Sequence, residues 1–364
     1  MNYFVGGMLN CCVCGFTTNE EQRVNIKMVV ATAILGIFLL ALGSQVQAQE
    51  YTIKFATIAP EGSTWMNVMR EYDAAVRKES GGRLRFKMYA GAVQGEDKDV
   101  LPKIRLGQLH SAGLTGFGLG KIASKLRILD SPFLFEGYEE VDYLYEKLDG
   151  EFRQALLDNN FVLLGWAEVG FVYVFTNTPV RSTADMKGVR MWMWEGDPIA
   201  EATFKAFDIQ PIPLSVVDVL TSLQTGLVNG AYTAPYACIA LQWNTRVQYM
   251  MGVPLANASG AVVVSKAMYD KLPADLQEIL LRNGKKYMRE LTLKSRAENK
   301  DAIVRLKKDG IQEIDVSSPK LLQEYQAAGR RARQSLVGTL YDKAFLDRIE
   351  KTLSDFHPRG ATSK

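Results

Sequence analysis

Segments with strand and helix patterns alternate from about residue 50, and this alternation constrains the fold more than any other feature. Tyr51–Thr57 (YTIKFAT) has the period-2 hydrophobicity of a strand. Residues 63–79 have apolar side chains at helical spacing and are followed by Ser80-Gly81-Gly82, while residues 83–90 (RLRFKMYA) alternate again. A strand–helix–strand unit predicts parallel strands joined by a crossover helix, so we expect an α/β protein.

The same pattern continues towards the C terminus. Residues 97–106, 215–226 and 274–309 favour helices, as does the tail from Pro319, and Ser215 has the spacing of a capping box with Asp218. Residues 161–177 (FVLLGWAEVGFVYVFTN) are apolar enough for one or two central strands that cross between lobes.

Ligands of open α/β sheets bind at the carboxyl ends of the strands. In this chain those ends fall in the segments IAPEGSTW (58–65), YAGAVQGE (89–96), TGFGLG (115–120) and MWMWEGDP (191–198). We therefore expect the ligand-binding residues to come from these loops.

Residues 1–48 are predicted to be a leader that is removed on export. An apolar stretch, residues 28–43, follows Lys27, and Val46-Gln47-Ala48 provides the small residues that a signal peptidase needs. The stretch is shorter than the ~20 residues of a membrane span. Three of the four cysteines lie in this leader, which leaves Cys238 alone in the mature chain. The sequence thus predicts a periplasmic protein without an internal disulfide.

The composition excludes several classes of function. The net charge is +3 without a clustered basic stripe, which argues against nucleic-acid binding. His110 and His357 are the only histidines, and the chain has no G-x-S-x-G motif, phosphate loop or acidic metal-binding loop. Cys238 has apolar neighbours and is expected to be a buried small side chain. These features favour an exported binding protein over an enzyme, with no cofactor and no metal.

Three segments resemble the solute-binding proteins of tripartite ATP-independent periplasmic (TRAP) transporters. They are LDSPFLFEGYEEV (129–141), DMKGVRMWMW (185–194) and FKAFDIQPIPLSVVDVLTSLQTGLVNG (204–230), and their order and spacing match along nearly the whole mature chain. The resemblance implies a two-lobed periplasmic-binding-protein (type II) fold, with mixed sheets flanked by helices and a ligand cleft between the lobes. It also implies delivery of the solute to an ion-gradient-driven permease with a small and a large membrane subunit.

The resemblance also implies a division into lobes. The first lobe is expected to contain residues 49–172 and 263–309, and the second residues 173–262. A C-terminal strand and helices, residues 310–364, are expected to brace both. The oligomeric state is left open.

The chain departs from the family where most members bind a carboxylate. Trp192 occupies the position of the arginine that makes a bidentate pair with the solute, and Val172 or Tyr173 stands in place of a second frequent arginine. The family's asparagine is also missing, with Tyr232 and Thr233 nearby. Because a buried anion without a charged partner costs several kcal/mol, and because aromatic faces bind cations, we expect an aromatic, neutral or cationic ligand, or an acid held in another way.

Ten residues are candidate ligand contacts. Trp65, Gln94 and Phe117 belong to the first lobe, Glu168 and Tyr173 lie near the crossing, and Trp192, Trp194, Tyr232, Thr233 and Arg190 belong to the second lobe. Arg190 shares the strand parity of Trp192 and is the alternative carboxylate clamp, while Trp194 either contacts the ligand or packs under the following turn. Two alternative functions are a sensing receptor for a signalling protein and an exported enzyme with Glu168 as acid or base.

Overall fold

The structure is a computed structural model that describes residues 49–356, so the predicted leader lies outside the described residues. The strands are β1 (Tyr51–Thr57), β2 (Leu84–Tyr89), β3 (Ser111–Thr115), β4 (Phe161–Trp166), β5 (Gly170–Thr176), β6 (Trp192–Trp194), β7 (Ile212–Leu214), β8 (Gly230–Thr233), β9 (Tyr249–Met251), β10 (Ala256–Ala258), β11 (Gly260–Ser265) and β12 (Gln312–Ile314). The α-helices are α1 (Thr64–Glu79), α2 (Asp97–Arg105), α3 (Gly116–Ile122), α4 (Tyr138–Asp158), α5 (Thr183–Met186), α6 (Pro198–Ala206), α7 (Val219–Thr225), α8 (Pro235–Ala240), α9 (Lys266–Tyr269), α10 (Ala274–Lys308), α11 (Pro319–Ser335) and α12 (Lys343–Phe356). Short 3₁₀ helices span Ser124–Asp130, Val216–Asp218 and Trp243–Thr245.

The first sheet contains the predicted strand–helix–strand unit. Its strand order is β2-β1-β3-β11-β4, in which β1 pairs in parallel with β2 and β3, while β11 is antiparallel to both β3 and β4. Helix α1 begins after Ser63, whose hydroxyl accepts a hydrogen bond from the Met66 N–H. The helix buries Met69 and Val76 against the sheet and contacts α10 along its length.

The second sheet has the order β10-β5-β9-β12, and β8 also pairs with β5. Strands β6 and β7 form a separate parallel pair. The predicted crossing segment consists of β4, in the first sheet, and β5, in the second. The expected lobe boundaries at 172/173 and 262/263 fall inside β5 and β11 respectively.

The predicted capping box at Ser215 is wrong. Its side chain caps no helix: the Ser215 hydroxyl donates instead to Glu96 Oε1, at 2.5 Å, and the Val216 N–H donates to the same oxygen at 2.8 Å. Ser215 thus bonds to the distant Glu96 and not to the nearby Asp218 of the predicted capping box. Glu96, which precedes α2, approaches Ser215 from the side of the first sheet.

The C-terminal elements pack on both halves of the described chain. Strand β12 extends the second sheet, α11 packs on α6, and α12 packs on α4. Within residues 49–356, no helix is both long enough and apolar enough to cross a membrane.

Candidate ligand-binding cavity

A cavity of about 190 Å³ lies where the two sheets meet. Thr115, at the end of β3, and Phe117, in α3, line it from the first sheet. Trp192 and Tyr232 line it from β6 and β8. As predicted for an α/β fold, strand ends and the loops after them form much of the wall.

The aromatic wall of the cavity is centred on Trp192. Its ring stacks on Tyr232, with centroids 5.1 Å apart, and meets Trp243 and Trp194 edge-on at 5.3 and 5.8 Å. Only 2% of Trp192 is exposed, and its indole N–H donates to the Leu214 carbonyl at 3.0 Å. Trp192 is therefore both a core residue and a wall of the cavity.

Trp194 lines the cavity from the same face of β6 as Trp192, because every second side chain of a strand points the same way. Its ring centroid lies 5.9 Å from that of Phe117, so an aromatic contact joins β6 to α3. The buried Nε1 of Trp194 has no hydrogen-bond partner within the described part of the chain. Trp194 was expected either to contact the ligand or to pack under the following turn, and in the structure it lines the cavity.

A buried charge cluster forms another part of the wall. Arg127 Nη1 donates to Asp130 Oδ2 at 2.9 Å, and Nη2 donates to Asp197 Oδ1 at 2.6 Å. Asp130 also accepts the Ser259 N–H at 2.7 Å, and Asp197 accepts the Ile199 N–H at 3.0 Å. Arg127 belongs to the 3₁₀ helix after α3, whereas Asp197 precedes α6, so this ion pair links two distant parts of the fold.

Burial and charge act in opposite directions on this cluster. Burial raises the pKa of Asp130, and the neighbouring Arg127 guanidinium opposes that shift. Burial disfavours the charged form of Arg127, but Asp197 and Asp130 outweigh it and raise the pKa of the guanidinium. With Asp130 ionised the cluster has one excess negative charge, and with Asp130 protonated it is neutral. In neither state does the cluster offer an uncompensated positive charge.

None of the three residues of this cluster was among the ligand contacts predicted from the sequence. Two charged residues, Arg127 and Asp130, stand in the otherwise apolar run LRILDSPFLF, and charges in such a run need a partner or a ligand. That signal was available. Their third partner, Asp197, lies 70 positions from Arg127, so only the fold identifies it.

Asn257 is a buried polar residue at the wall of the same cavity. It lies on β10 opposite Phe171 of β5, and 1% of it is exposed. Neither atom of its side-chain amide has a hydrogen-bond partner among the described residues. Asn257 was not predicted from the sequence either.

Five of the ten predicted contacts line the cavity: Phe117, Trp192, Trp194, Tyr232 and Thr233. Trp65 lies instead against the first sheet, where Gly113 leaves room for its ring: a Cβ at that glycine would lie 2.4 Å from Trp65 Cη2. Gln94 lies in the loop before α2, and its carbonyl accepts a hydrogen bond from Lys103 Nζ at 2.7 Å.

Arg190 is exposed and lies before β6 begins, where its Nη2 donates to the Gly226 carbonyl at 3.0 Å. It therefore does not occupy the place of a carboxylate clamp in this cavity. Tyr173 lies on the face of β5 opposite to Val172, and it lines a separate groove with Tyr138 and Arg296.

Glu168 is buried beside the crossing strands but outside the cavity. Arg296 of α10 binds both of its oxygens, at 2.5 Å through Nε and 3.1 Å through Nη2, and reaches Asp142 of α4 at 2.7 and 2.9 Å. Burial raises the pKa of Glu168, an effect that Arg296 opposes. Glu168, a charged residue in an apolar run of the sequence, therefore has Arg296 as a structural partner.

Two sheets with a cavity between them are the architecture of a two-lobed solute receptor. Residues 55–337 match the model of the bacterial extracellular solute-binding protein family 7, and the chain belongs to this family. The family consists of solute-binding proteins of TRAP transporters, which act outside the cytoplasm and are not enzymes. The predicted fold class, family and absence of catalysis are therefore confirmed.

Known proteins resemble the chain over much of its length. A solute-binding protein of Verminephrobacter eiseniae is 28% identical over 223 residues, which cover 59% of this chain and 65% of that protein. The C4-dicarboxylate-binding periplasmic protein DctP of Rhodobacter capsulatus is 26% identical over 263 residues, covering 70% of this chain and 76% of that one. A TRAP periplasmic solute binding protein of Desulfovibrio salexigens, solved with bound orotic acid, is 16% identical with a TM-score of 0.77, covering 84% of this chain and 99% of that one.

Proposed function

We propose that this protein is a periplasmic receptor that binds one small organic molecule in the cavity and delivers it to the small and large membrane subunits of a TRAP permease. In this proposal the first sheet is the core of one lobe and the second sheet that of the other, and residues 1–48 are removed on export. Family membership and a cavity lined from both sheets support it. Because only contacts that are better in the closed state favour closure, a ligand touched from both sides can act as the closing signal.

We propose further that the ligand is aromatic and either neutral or cationic. The supporting observation is that Arg127, the only basic residue among the described residues that line the cavity, is already paired with Asp130 and Asp197. A ligand carboxylate would be a third anion around one guanidinium. The faces of Trp192 and Trp194 instead suit an aromatic ring or a cation.

The volume of the cavity limits the size of the ligand. Its volume of about 190 Å³ is below the ~300–1,000 Å³ of sites for drug-sized ligands. A ligand with one or two rings fits this volume better than an oligosaccharide or a peptide does.

A second candidate is an organic acid bound in another way. Two observations favour it. The R. capsulatus protein is named for binding C4-dicarboxylates, and the D. salexigens protein was solved with bound orotic acid. In addition, the buried Nε of Arg127 has no hydrogen-bond partner within residues 49–356. Such an acid would accept a single hydrogen bond from Nε, in place of the bidentate pair of most family members.

Calorimetry with indole, phenethylamine, benzoate, succinate and D-glucuronate separates the two candidates. We expect indole and phenethylamine to bind, Trp194→Ala to weaken them at least tenfold, and Arg190→Ala, which changes a residue outside the cavity, to leave them unchanged. Micromolar binding of succinate or D-glucuronate that persists in Trp194→Ala would contradict the aromatic proposal and support the acid. Mass spectrometry of the molecule that co-purifies with the protein gives an independent identification.

The geometry lends no support to an enzyme that uses Glu168, because both of its carboxylate oxygens are bound by Arg296 away from the cavity. A receptor for a signalling protein would bind the ligand in the same way. Uptake by vesicles that contain the membrane subunits, dependent on added receptor, distinguishes transport from signalling.

A further inference from the structure

We infer that Asp197 binds a positively charged group of the ligand, and that the ligand is an aromatic monocation such as an arylalkyl ammonium. The inference rests on the proposed function, since it narrows the aromatic, neutral or cationic ligand of that proposal to a cation. It assigns the charged end of the ligand, whereas the aromatic walls of the cavity concern its ring.

Acidic residues outnumber basic ones at the cavity. Among the described residues that line it, Asp130 and Asp197 are the only acids and Arg127 is the only base. One guanidinium is thus shared between two carboxylates, at 2.9 Å from Asp130 and 2.6 Å from Asp197. With Asp130 ionised, the three groups carry one excess negative charge. A buried anion without full compensation is unfavourable, and a cationic group in the cavity would balance it.

The two carboxylates differ in the oxygen that remains free. Both oxygens of Asp130 are occupied, since Oδ1 accepts the Ser259 N–H and Oδ2 accepts from Arg127. In Asp197, by contrast, Oδ1 accepts both from Arg127 and from the Ile199 N–H. Its Oδ2 accepts no hydrogen bond from the described residues, and unlike the unpaired Nε of Arg127 it is not fully buried. The free acceptor of the cluster is therefore Asp197 Oδ2.

The accessible part of Asp197 lies at the cavity wall. Its side chain is 7% exposed, and it stands between β6 and α6, from which Trp194 and Ile199 line the cavity as Asp197 itself does. The same wall thus presents an aromatic face and a free carboxylate oxygen. An ammonium group donates hydrogen bonds to a carboxylate and is attracted to aromatic faces, whereas a ligand carboxylate would meet Asp197 with like charge.

Phenethylamine and 2-phenylethanol provide a matched pair of probes, because they differ only in an ammonium or a hydroxyl group at the end of the same arylalkyl chain. The amine is protonated at neutral pH, as the side chain of lysine is. Both probes can donate a hydrogen bond to Asp197 Oδ2, but only the amine brings a charge. We expect calorimetry on the full mature chain to show phenethylamine binding at least about tenfold tighter than 2-phenylethanol, because charge-assisted hydrogen bonds are the stronger ones.

Asp197→Asn keeps the size of the side chain and an oxygen for Arg127 and the Ile199 N–H, but it replaces Oδ2 by an NH₂ donor. In this variant we expect phenethylamine to weaken about tenfold and 2-phenylethanol to bind as before, a pattern that a general loss of structure would not produce. The control is Glu201→Gln, which removes an exposed acid of the same helix outside the cavity and should leave both probes unchanged.

Equal binding of the two probes by the wild type would overturn the inference, and this comparison needs no variant to fold. So would a preference that survives in Asp197→Asn or is lost equally in Glu201→Gln, since Asp197 would then not be the group that binds the amine. Indole separates these results from failure of the proposed function. If indole binds and the preference for phenethylamine is absent, only the role of Asp197 is lost, whereas absence of binding by all three aromatic probes contradicts both proposals.

Discussion

The indole of Trp192 belongs at once to the core and to the cavity, so its substitutions must be chosen with both roles in mind. Truncation of a buried tryptophan to alanine costs about 3–5 kcal/mol, which would obscure any effect on binding. Trp192→Phe keeps an aromatic ring but removes the hydrogen bond to Leu214. We expect this variant to lose about 1–2 kcal/mol in urea denaturation.

The same Trp192→Phe variant should bind indole several-fold more weakly. Its matched control is Trp65→Phe, at a tryptophan that packs against the first sheet outside the cavity. The control should lower stability without changing the affinity for indole. If both variants weaken indole equally, the effect is a general loss of stability and the cavity assignment of Trp192 is contradicted.

Asp97, at the start of α2, gives the protein a distinctive pH dependence. Burial raises the pKa of this carboxyl from 3.8 to about 6, although hydrogen bonds from Thr115 oppose the shift. A carboxyl with a raised pKa in the folded state binds its proton more tightly there than in the unfolded chain. Its contribution to stability is therefore complete below pH 4 and falls as the pH rises towards 6.

Asp97→Asn removes this titration. The unfolding free energy of the wild type minus that of the variant should fall by about 2 kcal/mol between pH 4 and pH 7, measured by urea denaturation at each pH. A difference that stays constant over that interval would show that Asp97 has the same pKa in the folded and unfolded states.

At the scale of elements, Arg296 connects α10 to the crossing strands and to α4 through Glu168 and Asp142. Arg296→Met leaves Glu168 buried without its partner and should cost about 3–5 kcal/mol in urea denaturation. Glu168→Gln combined with Arg296→Met should recover much of that loss, because no buried charge remains. Additive effects of the two substitutions would show that the pair is not coupled.

Local patterns were sufficient where the partner of each residue is close in sequence. The period-2 hydrophobicity of Tyr51–Thr57 predicted β1, and the helical spacing of the apolar residues within 63–79 predicted α1. Strand parity also put Trp192 and Trp194 on one face, but it did not extend to Arg190 because β6 begins only at Trp192.

Longer-range relations could not be predicted in this way. Adjacent side chains of a strand point to opposite faces, so only one of Val172 and Tyr173 was expected to face the cavity. The pairing of β5 with β8 and β10 was needed to show that it is Val172. Ser215 followed a local capping pattern and yet hydrogen-bonds to Glu96, 119 positions away. A contact of that range depends on the packing of the two sheets, which no sequence window contains.

For the whole molecule, contacts around the cavity join elements of the first sheet to elements near β6 and β7, as expected of a closed receptor. Lys98 of α2 pairs with Glu195 at 2.7 Å, and Glu96 accepts hydrogen bonds from Ser215 and Val216. The exposed ion pair of Lys98 and Glu195 contributes little, because solvent screens it. Glu96 matters more, since its removal leaves a hydroxyl and a backbone N–H without that acceptor.

Glu96→Ala should therefore shift the ligand-free protein towards a more open state and weaken indole about three- to tenfold, because ligand binding must then supply the lost closing energy. Small-angle X-ray scattering should give a larger radius of gyration for the ligand-free variant than for the wild type, and saturating indole should remove the difference. The control is Glu61→Ala, which breaks an exposed ion pair with Arg70 of α1 and should change neither quantity. If Glu96→Ala matches this control in both measurements, the contacts between Glu96 and Ser215 do not stabilise closure, and the energy of closure must come from Arg127, Asp197 and the ligand itself.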